Sequence, residues 1–177
     1  MEQNQALDRF LAGVEKKAFH MARIATGNED DALEIVQDAM LKLVQRYAAR
    51  DEREWGPLFH RILQSRIRDW YRRSKVRNQL RVWFGGGEEE DDPLDNQPGR
   101  EADGPLPELE SERFGEDLEQ ALSALPNRQQ QAFLLRVWEG LGVEETAAAM
   151  GCSAGSVKTH YSRAVHALRK QLEDFKP

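Results

Sequence analysis

Apolar side chains recur every three or four residues along most of the chain, the spacing that forms one face of an α-helix. This repeat runs through residues 6–25, 29–47 and 57–75, and it returns in shorter segments between 117 and 172. The two-residue alternation typical of strands is not evident. The sequence therefore predicts an all-α fold.

The middle of the chain has a different composition. Residues 84–109 are dominated by glycine, proline and acidic side chains, and they contain little that a core can bury. Such a segment cannot offset the entropy lost on ordering, so we predict a flexible acidic linker. Two small helical domains, residues 1–80 and 113–177, would then be joined by a linker at residues 81–112.

The helical pattern also predicts the inward-facing side chains. Pro57 is expected in the first turn of the third helix, and Gly140 is expected to end a later helix whose Val137 faces inward. Leu41 lies among polar residues, where a partner could cover it, although single exposed leucines are common. In the second helix the expected buried set is Leu33, Val36, Met40, Leu43, Val44 and Tyr47.

The strongest local signal is a predicted helix-turn-helix at residues 143–172. Ala147, Gly151 and Val157 have the spacing that lets two helices touch, turn and pack, and Ser153 is expected to cap the second helix. The outer side of that helix presents short hydroxyls and cations, which suit a major groove. A plain helical hairpin is the alternative. The outward residues are Ser156, Lys158, Thr159, Ser162 and Arg163.

The charged side chains are unevenly distributed along the chain. The formal net charge is -6, which by itself argues against a nucleic-acid partner. Residues 1–75 carry 14 basic and 12 acidic side chains, whereas residues 76–117 carry 4 and 13. Within residues 57–77 there are seven Lys or Arg and one acid, Asp69. Because salt screens charges beyond about 10 Å, this local basic patch can still bind phosphate.

The basic patch has a regular geometry. Arg61, Ser65, Arg68, Arg72 and Lys75 fall within about 40° of one line on a helical wheel. A straight row of cations containing a small hydroxyl suits a nucleic-acid backbone. A solvated basic face is the alternative, but no acids on that face balance the cations.

Catalytic, metal and membrane chemistry are not indicated. The single cysteine, Cys152, excludes an intramolecular disulfide and a cysteine-rich zinc site. No catalytic arrangement, metal-ligand spacing or phosphate-binding glycine loop is recognisable, so we expect no enzyme activity and no cofactor. The sequence lacks an apolar run of 18 residues and a secretory signal, which favours a cytoplasmic protein without membrane insertion.

Three stretches, taken in order, resemble bacterial RNA polymerase sigma factors of the extracytoplasmic-function group. They are DALEIVQDAMLKLVQRY, the basic WGPLFHRILQSRIRDWYRRSK, and LSALPNRQQQAFLLRVWEGLGVEETAAAMGCSAGSVKTHYSRAVHALR. Either half alone is moderate evidence, since many regulators end in a helix-turn-helix, but the two together are specific. Ser65 departs from the asparagine that many members carry, which bears on the sequence preference at the −10 element.

The resemblance implies a division of labour. Residues Glu34, Gln37, Asp38 and Leu41 would bind the clamp helices of the beta-prime subunit of core RNA polymerase. The −10 element would be opened, and one flipped base held, by Arg50, Arg53, Arg61, Ser65, Arg68 and Arg72. The −35 element would be read by Ser156, Lys158, Thr159, Ser162 and Arg163, with Arg136 holding a phosphate. The beta flap and an anti-sigma factor are further expected partners, besides promoter DNA.

Two other functions fit part of the pattern. A stand-alone helix-turn-helix transcription regulator would explain the C-terminal half, and an RNA-binding adaptor is a third alternative. A simple regulator, however, needs no strand-opening helix beside a polymerase-binding helix. We also hypothesise that the acidic linker folds back onto the basic faces and weakens binding to bare DNA.

Overall fold

The computed structural model describes residues 2–85 and 110–173, and these residues form seven α-helices without a strand. The all-α prediction is therefore confirmed. The helices are α1 (Glu2–Thr26), α2 (Glu29–Tyr47), α3 (Glu52–Gly85), α4 (Glu110–Ser123), α5 (Asn127–Val137), α6 (Val143–Met150) and α7 (Ala154–Glu173). We call residues 2–85 the N-terminal half and residues 110–173 the C-terminal half.

The turn between α1 and α2 is set by local chemistry. Gly27 has a φ of +69°, a left-handed conformation that glycine adopts without strain. The side chain of Asn28 then accepts a hydrogen bond of 3.0 Å from the backbone N–H of Asp31, which caps α2. Three acidic side chains occupy the first turn of α2, where the helix dipole favours negative charge.

The start of α3 differs from the prediction. The helix begins at Glu52, so Pro57 lies inside it rather than in its first turn. The reason is a reciprocal cap, in which the Asp51 carboxylate accepts from the Arg53 N–H at 2.9 Å and the Glu54 carboxylate accepts from the Asp51 N–H at 3.3 Å. This cap stabilises a helix start that the proline pattern did not indicate.

Aromatic side chains fill the core of the N-terminal half. Trp55, Phe59 and Tyr71 of α3 are almost completely buried. The indole N–H of Trp55 donates to the carbonyl of Tyr47 at 3.0 Å, and the hydroxyl of Tyr71 donates to the carbonyl of Ala25 at 2.9 Å. Because each ring satisfies its polar atom on a different helix, α3 is fixed against both α1 and α2.

Three apolar residues predicted to be buried are exposed. Leu33 is 45% exposed, Val44 is 39% exposed and Val137 is 48% exposed. In α2 the inward positions are instead occupied mainly by small and β-branched side chains, so its core-facing stripe is narrower than the pattern predicted. An apolar stripe in a sequence does not by itself distinguish a core contact from a surface that is free for a partner.

The helices extend past the predicted domain boundaries, and the two halves touch. α3 continues to Gly85, and α4 begins at Glu110. Residues 86–109, which are most of the predicted linker, lie outside the described residues. α3 packs against α5 and α6, and α1 packs against α4 and α5. The buried side chains of the two halves accordingly form a continuous cluster.

Candidate nucleic-acid interface

The helix-turn-helix has the local geometry that its sequence predicted. Gly151 follows α6 with a φ of +68°, and the N–H of Cys152 donates to the carbonyl of Ala147 at 3.1 Å. The Ser153 hydroxyl then accepts from the N–H of Ser156 at 3.1 Å and caps α7. Val157 is completely buried. The turn therefore fixes the direction of α7 relative to α6.

The outward side of α7 forms a polar, cationic surface, which we call the recognition face. It consists of Ser156, Lys158, Thr159, Ser162 and Arg163. All of these except the half-buried Ser156 are exposed. The Thr159 hydroxyl donates to the carbonyl of Gly155 at 3.1 Å, so its oxygen can still accept a hydrogen bond. The structure thus brings the predicted −35 residues of α7 together on one face.

Arg136 is only partly available to a phosphate. One of its terminal nitrogens donates to the carbonyl of Leu141 at 2.6 Å, and its guanidinium lies 5.6 Å from the centre of the Tyr161 ring. These contacts connect the loop before α6 to the side of α7. The side chain is half-buried, and its remaining N–H groups are the ones that could contact DNA.

The predicted −10 residues of the third helix lie along α3. We call Arg61, Ser65, Arg68 and Arg72 the α3 row. Arg61 and Arg72 are exposed, and Arg72 lies 3.7 Å from the Asp69 carboxylate. Ser65 and Arg68 are half-buried. The four residues lie on the same helix, and the centre of the row is less accessible than its ends.

The two arginines before the α3 row are held by nearby acids. The Arg53 guanidinium donates to the Asp51 carboxylate at 3.2 Å, and this hydrogen bond lowers the pKa of Asp51. Arg50 lies 3.7 Å from the Glu54 carboxylate. Both arginines are exposed. A phosphate would therefore have to compete with these carboxylates, in an environment where such pairs are weak.

Arg68 lies at the meeting point of the two halves. Its terminal nitrogens are 3.5 and 3.6 Å from the position that a Cβ would occupy on Gly151. Its Nε is buried and has no hydrogen-bond partner among residues 2–85 and 110–173. Burial lowers the pKa of this guanidinium, and repulsion from Arg128 and Arg72 lowers it further.

Arg128 is a cation that the sequence pattern did not single out. One of its terminal nitrogens donates to the carbonyl of Met150 at 2.8 Å, directly before the turn. After burial, Arg128 is the largest contributor to the lowered pKa of His160 on α7. The guanidinium groups of Arg68 and Arg128, one from each half, therefore both lie beside the turn. Only the tertiary structure shows this arrangement, because the two residues are far apart in the chain.

The predicted polymerase-binding residues form an exposed face of α2, which we call the clamp face. Glu34, Gln37, Asp38 and Leu41 are all exposed, and Leu41 is 55% exposed. The exposed side chains of Leu33 and Val44 extend the apolar part of this face along the same side of the helix. A row of exposed apolar side chains bordered by polar ones is typical of a protein-binding surface.

Within residues 2–85 and 110–173, no group of three or more histidine, cysteine, aspartate or glutamate side chains is arranged to hold a metal ion. Over the same residues, no helix is both long enough and apolar enough to cross a membrane.

Similarity to known proteins agrees with this geometry. Residues 115–168 match the family described as Sigma-70, region 4. The chain is 31% identical over 131 residues to the RNA polymerase sigma-E factor of Streptomyces antibioticus, covering 74% of this chain and 69% of that protein. It is 30% identical over 176 residues to the ECF RNA polymerase sigma factor EcfG of Rhodopseudomonas palustris, covering 96% of this chain and 89% of that protein.

A solved structure shares the fold. The sigma factor RpoE of Bartonella quintana, in complex with the anti-sigma factor NepR, superimposes with a TM-score of 0.63 at 24% identity, covering 94% of this chain and 96% of that one. Together with the sequence relatives, this places the chain among the transcription initiation factors. The chain belongs to the extracytoplasmic-function (ECF) group of RNA polymerase sigma factors.

Proposed function

We propose that this chain binds core RNA polymerase through the clamp face and directs it to promoters whose −35 element is read by the recognition face. The observation that carries the proposal is the exposed row of hydroxyls and cations on α7, immediately after a capped helix-turn-helix. Short hydroxyls allow close approach to base edges, and Lys158 and Arg163 can meet guanine or phosphate.

The α3 row would open the −10 element. A base must leave the stack at a cost of a few kcal/mol before its edges can be read, and a cationic groove stabilises the separated strand. Arg61 and Arg72 are exposed at the two ends of the row, with Ser65 and Arg68 between them. Arg50 and Arg53 would contact the displaced strand from the preceding loop.

The clamp face would hold the beta-prime clamp helices. Leu41 supplies exposed apolar area, and Glu34 and Asp38 supply negative charge beside it. On the C-terminal half, the exposed Val137 offers the beta flap an apolar contact. The chain would act in the cytoplasm as a subunit that directs core polymerase to promoters. It needs no cofactor and carries out no chemistry itself, and an anti-sigma factor is an expected regulator.

The proposal is tested by transcription in vitro from supercoiled templates. Core polymerase plus the full chain should initiate at a subset of promoters, and core polymerase alone should not. A chain carrying Leu41→Asp should keep its affinity for −35 DNA and lose initiation, because the substitution lies on α2, away from the recognition face. Specific DNA binding without any initiation would instead favour the stand-alone regulator.

A further inference from the structure

Residues 48–51, which we call the α2–α3 loop, join the helix of the clamp face to the helix of the α3 row. Arg50 lies in this loop, and Arg53 follows it in the first turn of α3. Under the proposed function, both arginines contact the displaced strand of the −10 element. The conformation of the loop therefore determines where the Arg50 side chain can meet that strand.

Local hydrogen bonds fix the two ends of the α2–α3 loop. The carbonyl of Tyr47 accepts from the N–H of Arg50 at 3.0 Å and from the indole N–H of Trp55 at 3.0 Å. At the other end, the Glu54 carboxylate accepts from the N–H of Asp51 at 3.3 Å. None of these contacts reaches the backbone carbonyls on the side of the loop that faces α1.

A side chain from α1 binds those carbonyls. The side-chain amide of Gln3 donates to the carbonyl of Ala48 at 2.8 Å and to the carbonyl of Arg50 at 3.2 Å. A primary amide has two N–H donors, so these two hydrogen bonds use its full donor capacity. A single group therefore holds the loop on both sides of Ala49.

The position of Gln3 follows from the register of α1. Gln3, Leu7 and Phe10 are separated by four and three residues, which places them on one side of the helix. Leu7 is buried, and the centre of the Phe10 ring lies 5.9 Å from that of Trp55 and 6.2 Å from that of Phe59. These contacts hold the start of α1 against the start of α3, so the polar residue at the end of the apolar stripe meets the loop.

An open cavity of about 660 Å³ borders the same part of the molecule. Its lining includes Gln5 and Arg9 from α1 and Arg50 and Asp51 from the loop and its end. The cavity leaves the loop without packing on that side and gives an incoming strand access to Arg50. The hydrogen bonds of Gln3 therefore provide the support that the loop receives from α1.

General support of the fold is the alternative role for Gln3. Gln3 and Arg50 are both exposed, and an exposed hydrogen bond replaces one with water at little net gain. The same two bonds nevertheless restrict the backbone of a short loop, which reduces the ordering cost that binding would otherwise meet. Their effect is therefore expected in strand binding more than in unfolding.

We propose that Gln3 is a positioning residue of the −10 site, which holds the α2–α3 loop so that the Arg50 guanidinium can meet a phosphate of the displaced strand. Gln3 acts through Arg50 and contacts no DNA itself. This inference rests on the proposed function, because it concerns how that strand is held. It extends the −10 site to the start of α1, to which neither the helical pattern nor the family resemblance assigned a role.

The test isolates the contribution of the separated strand. Two labelled probes are made from a promoter that the wild-type holoenzyme selects. One is a duplex that ends just upstream of the −10 element, and the other is the same duplex with a single-stranded non-template −10 tail. Fluorescence anisotropy with holoenzyme gives the affinity for each probe, and the ratio of the two affinities is the gain from the tail. Arg50→Ala should reduce this gain.

Gln3→Glu removes the amide donors at nearly constant side-chain length, and its carboxylate is repelled by the two carbonyls. We expect the gain from the tail to fall by about threefold to tenfold, which corresponds to about one hydrogen bond. Asn4→Asp is the matched control, because it changes an amide to a carboxylate at the next residue, which is also exposed. It should leave the gain unchanged, and the urea midpoints of both variants should stay close to that of wild type.

Two further measurements distinguish positioning from general support. Gln3→Glu should reduce the slope of log affinity against log salt for the tail by about 0.7, the value for one phosphate contact on a single strand, whereas Asn4→Asp should not. In the Arg50→Ala background, Gln3→Glu should cause little further loss. In the Arg72→Ala background its full loss should remain, because Arg72 is exposed near the other end of the α3 row and shares no contact with Gln3.

Four results would overturn the inference. They are an unchanged gain in Gln3→Glu, an equal loss in Asn4→Asp, no effect of Arg50→Ala, and full additivity of the losses in Gln3→Glu and Arg50→Ala. A lowered urea midpoint with an unchanged gain is an instance of the first and would assign Gln3 a purely structural role. In each case wild type would still gain affinity from the tail. If the proposed function fails, wild type itself shows no such gain and supports no initiation.

Discussion

Lys158 gives the sharpest test of the recognition face. Its side chain is exposed in the first half of α7 and forms no ion pair with any described residue. Replacing an exposed side chain of this kind changes folding stability by about 0.5 kcal/mol or less. A change in DNA affinity in Lys158→Ala therefore reports a contact made by the ammonium group and not a folding defect.

The size of the loss identifies the kind of contact. A hydrogen-bonded contact to a base edge is worth about 1–3 kcal/mol, which corresponds to a weakening of about 5- to 150-fold for the preferred sequence. A contact to a phosphate weakens binding to all sequences and lowers the slope of log affinity against log salt by about one. The two cases differ in sequence dependence as well as in magnitude.

The assay is fluorescence anisotropy of labelled promoter duplexes with reconstituted holoenzyme, over a series of salt concentrations. Lys170→Ala is the matched control, because Lys170 is also an exposed lysine of α7 but lies about 18 Å further along the helix axis. Lys158→Ala should weaken binding and Lys170→Ala should not. Equal affinities for wild type and Lys158→Ala, or equal losses in both variants, would refute the assignment of the recognition face.

Three further predictions concern other surfaces. Leu41→Asp should weaken binding to core polymerase by about tenfold or more, whereas Leu80→Asp, at a similarly exposed leucine of α3, should not; equal losses would contradict the clamp face. Tyr71→Phe leaves the carbonyl of Ala25 in α1 without the hydrogen bond from the Tyr71 hydroxyl, and it should lower the free energy of unfolding by about 1 kcal/mol in urea titrations. An unchanged midpoint would show that this hydrogen bond contributes nothing to stability. The hydrogen bond with His60 lowers the pKa of Glu139. The stabilisation that the ionised Glu139 gives to the packed halves should therefore be complete above the ordinary pKa of about 4.5. It should be lost as the pH falls through the lowered pKa. The free energy of unfolding of wild type should therefore fall at acid pH more than that of Glu139→Gln, and identical pH profiles would exclude this carboxyl as the cause.

Local chemistry made the helix-turn-helix predictable. Gly151 is needed because the turn has a positive φ, Ser153 because the first N–H groups of α7 need an acceptor, and Val157 because α7 must be seated on α6. Each requirement is satisfied within a few residues of the chain. The sequence alone therefore located both the turn and the outward face of α7.

The exposed faces were harder to predict, because periodicity shows that an apolar stripe exists but not what covers it. Leu33 and Val44 continue the stripe of α2, yet they lie outside the core. The start of α3 was missed for a different reason, because the reciprocal cap between Asp51 and Glu54 outweighed the preference of Pro57 for a first turn.

Contact between the two halves could not be inferred from the pattern. His60 and Gln64 are polar and lie on a helix with many cations, so the apolar periodicity gives no reason to expect their burial. They are buried because α5 and the loop after it, more than sixty residues away in the chain, cover them. Such long-range contacts leave no periodic signal, and only the tertiary structure shows that Arg68 lies against the turn.

The most direct test of the account is selection of promoters from a randomised DNA library by core polymerase reconstituted with this chain. Two cationic helical surfaces held apart on polymerase should enrich two separate sequence blocks with a fixed spacing of more than one helical turn. Lys158→Ala should alter the upstream block alone. Enrichment of a single block, or of no sequence beyond that found with core polymerase alone, would contradict the account.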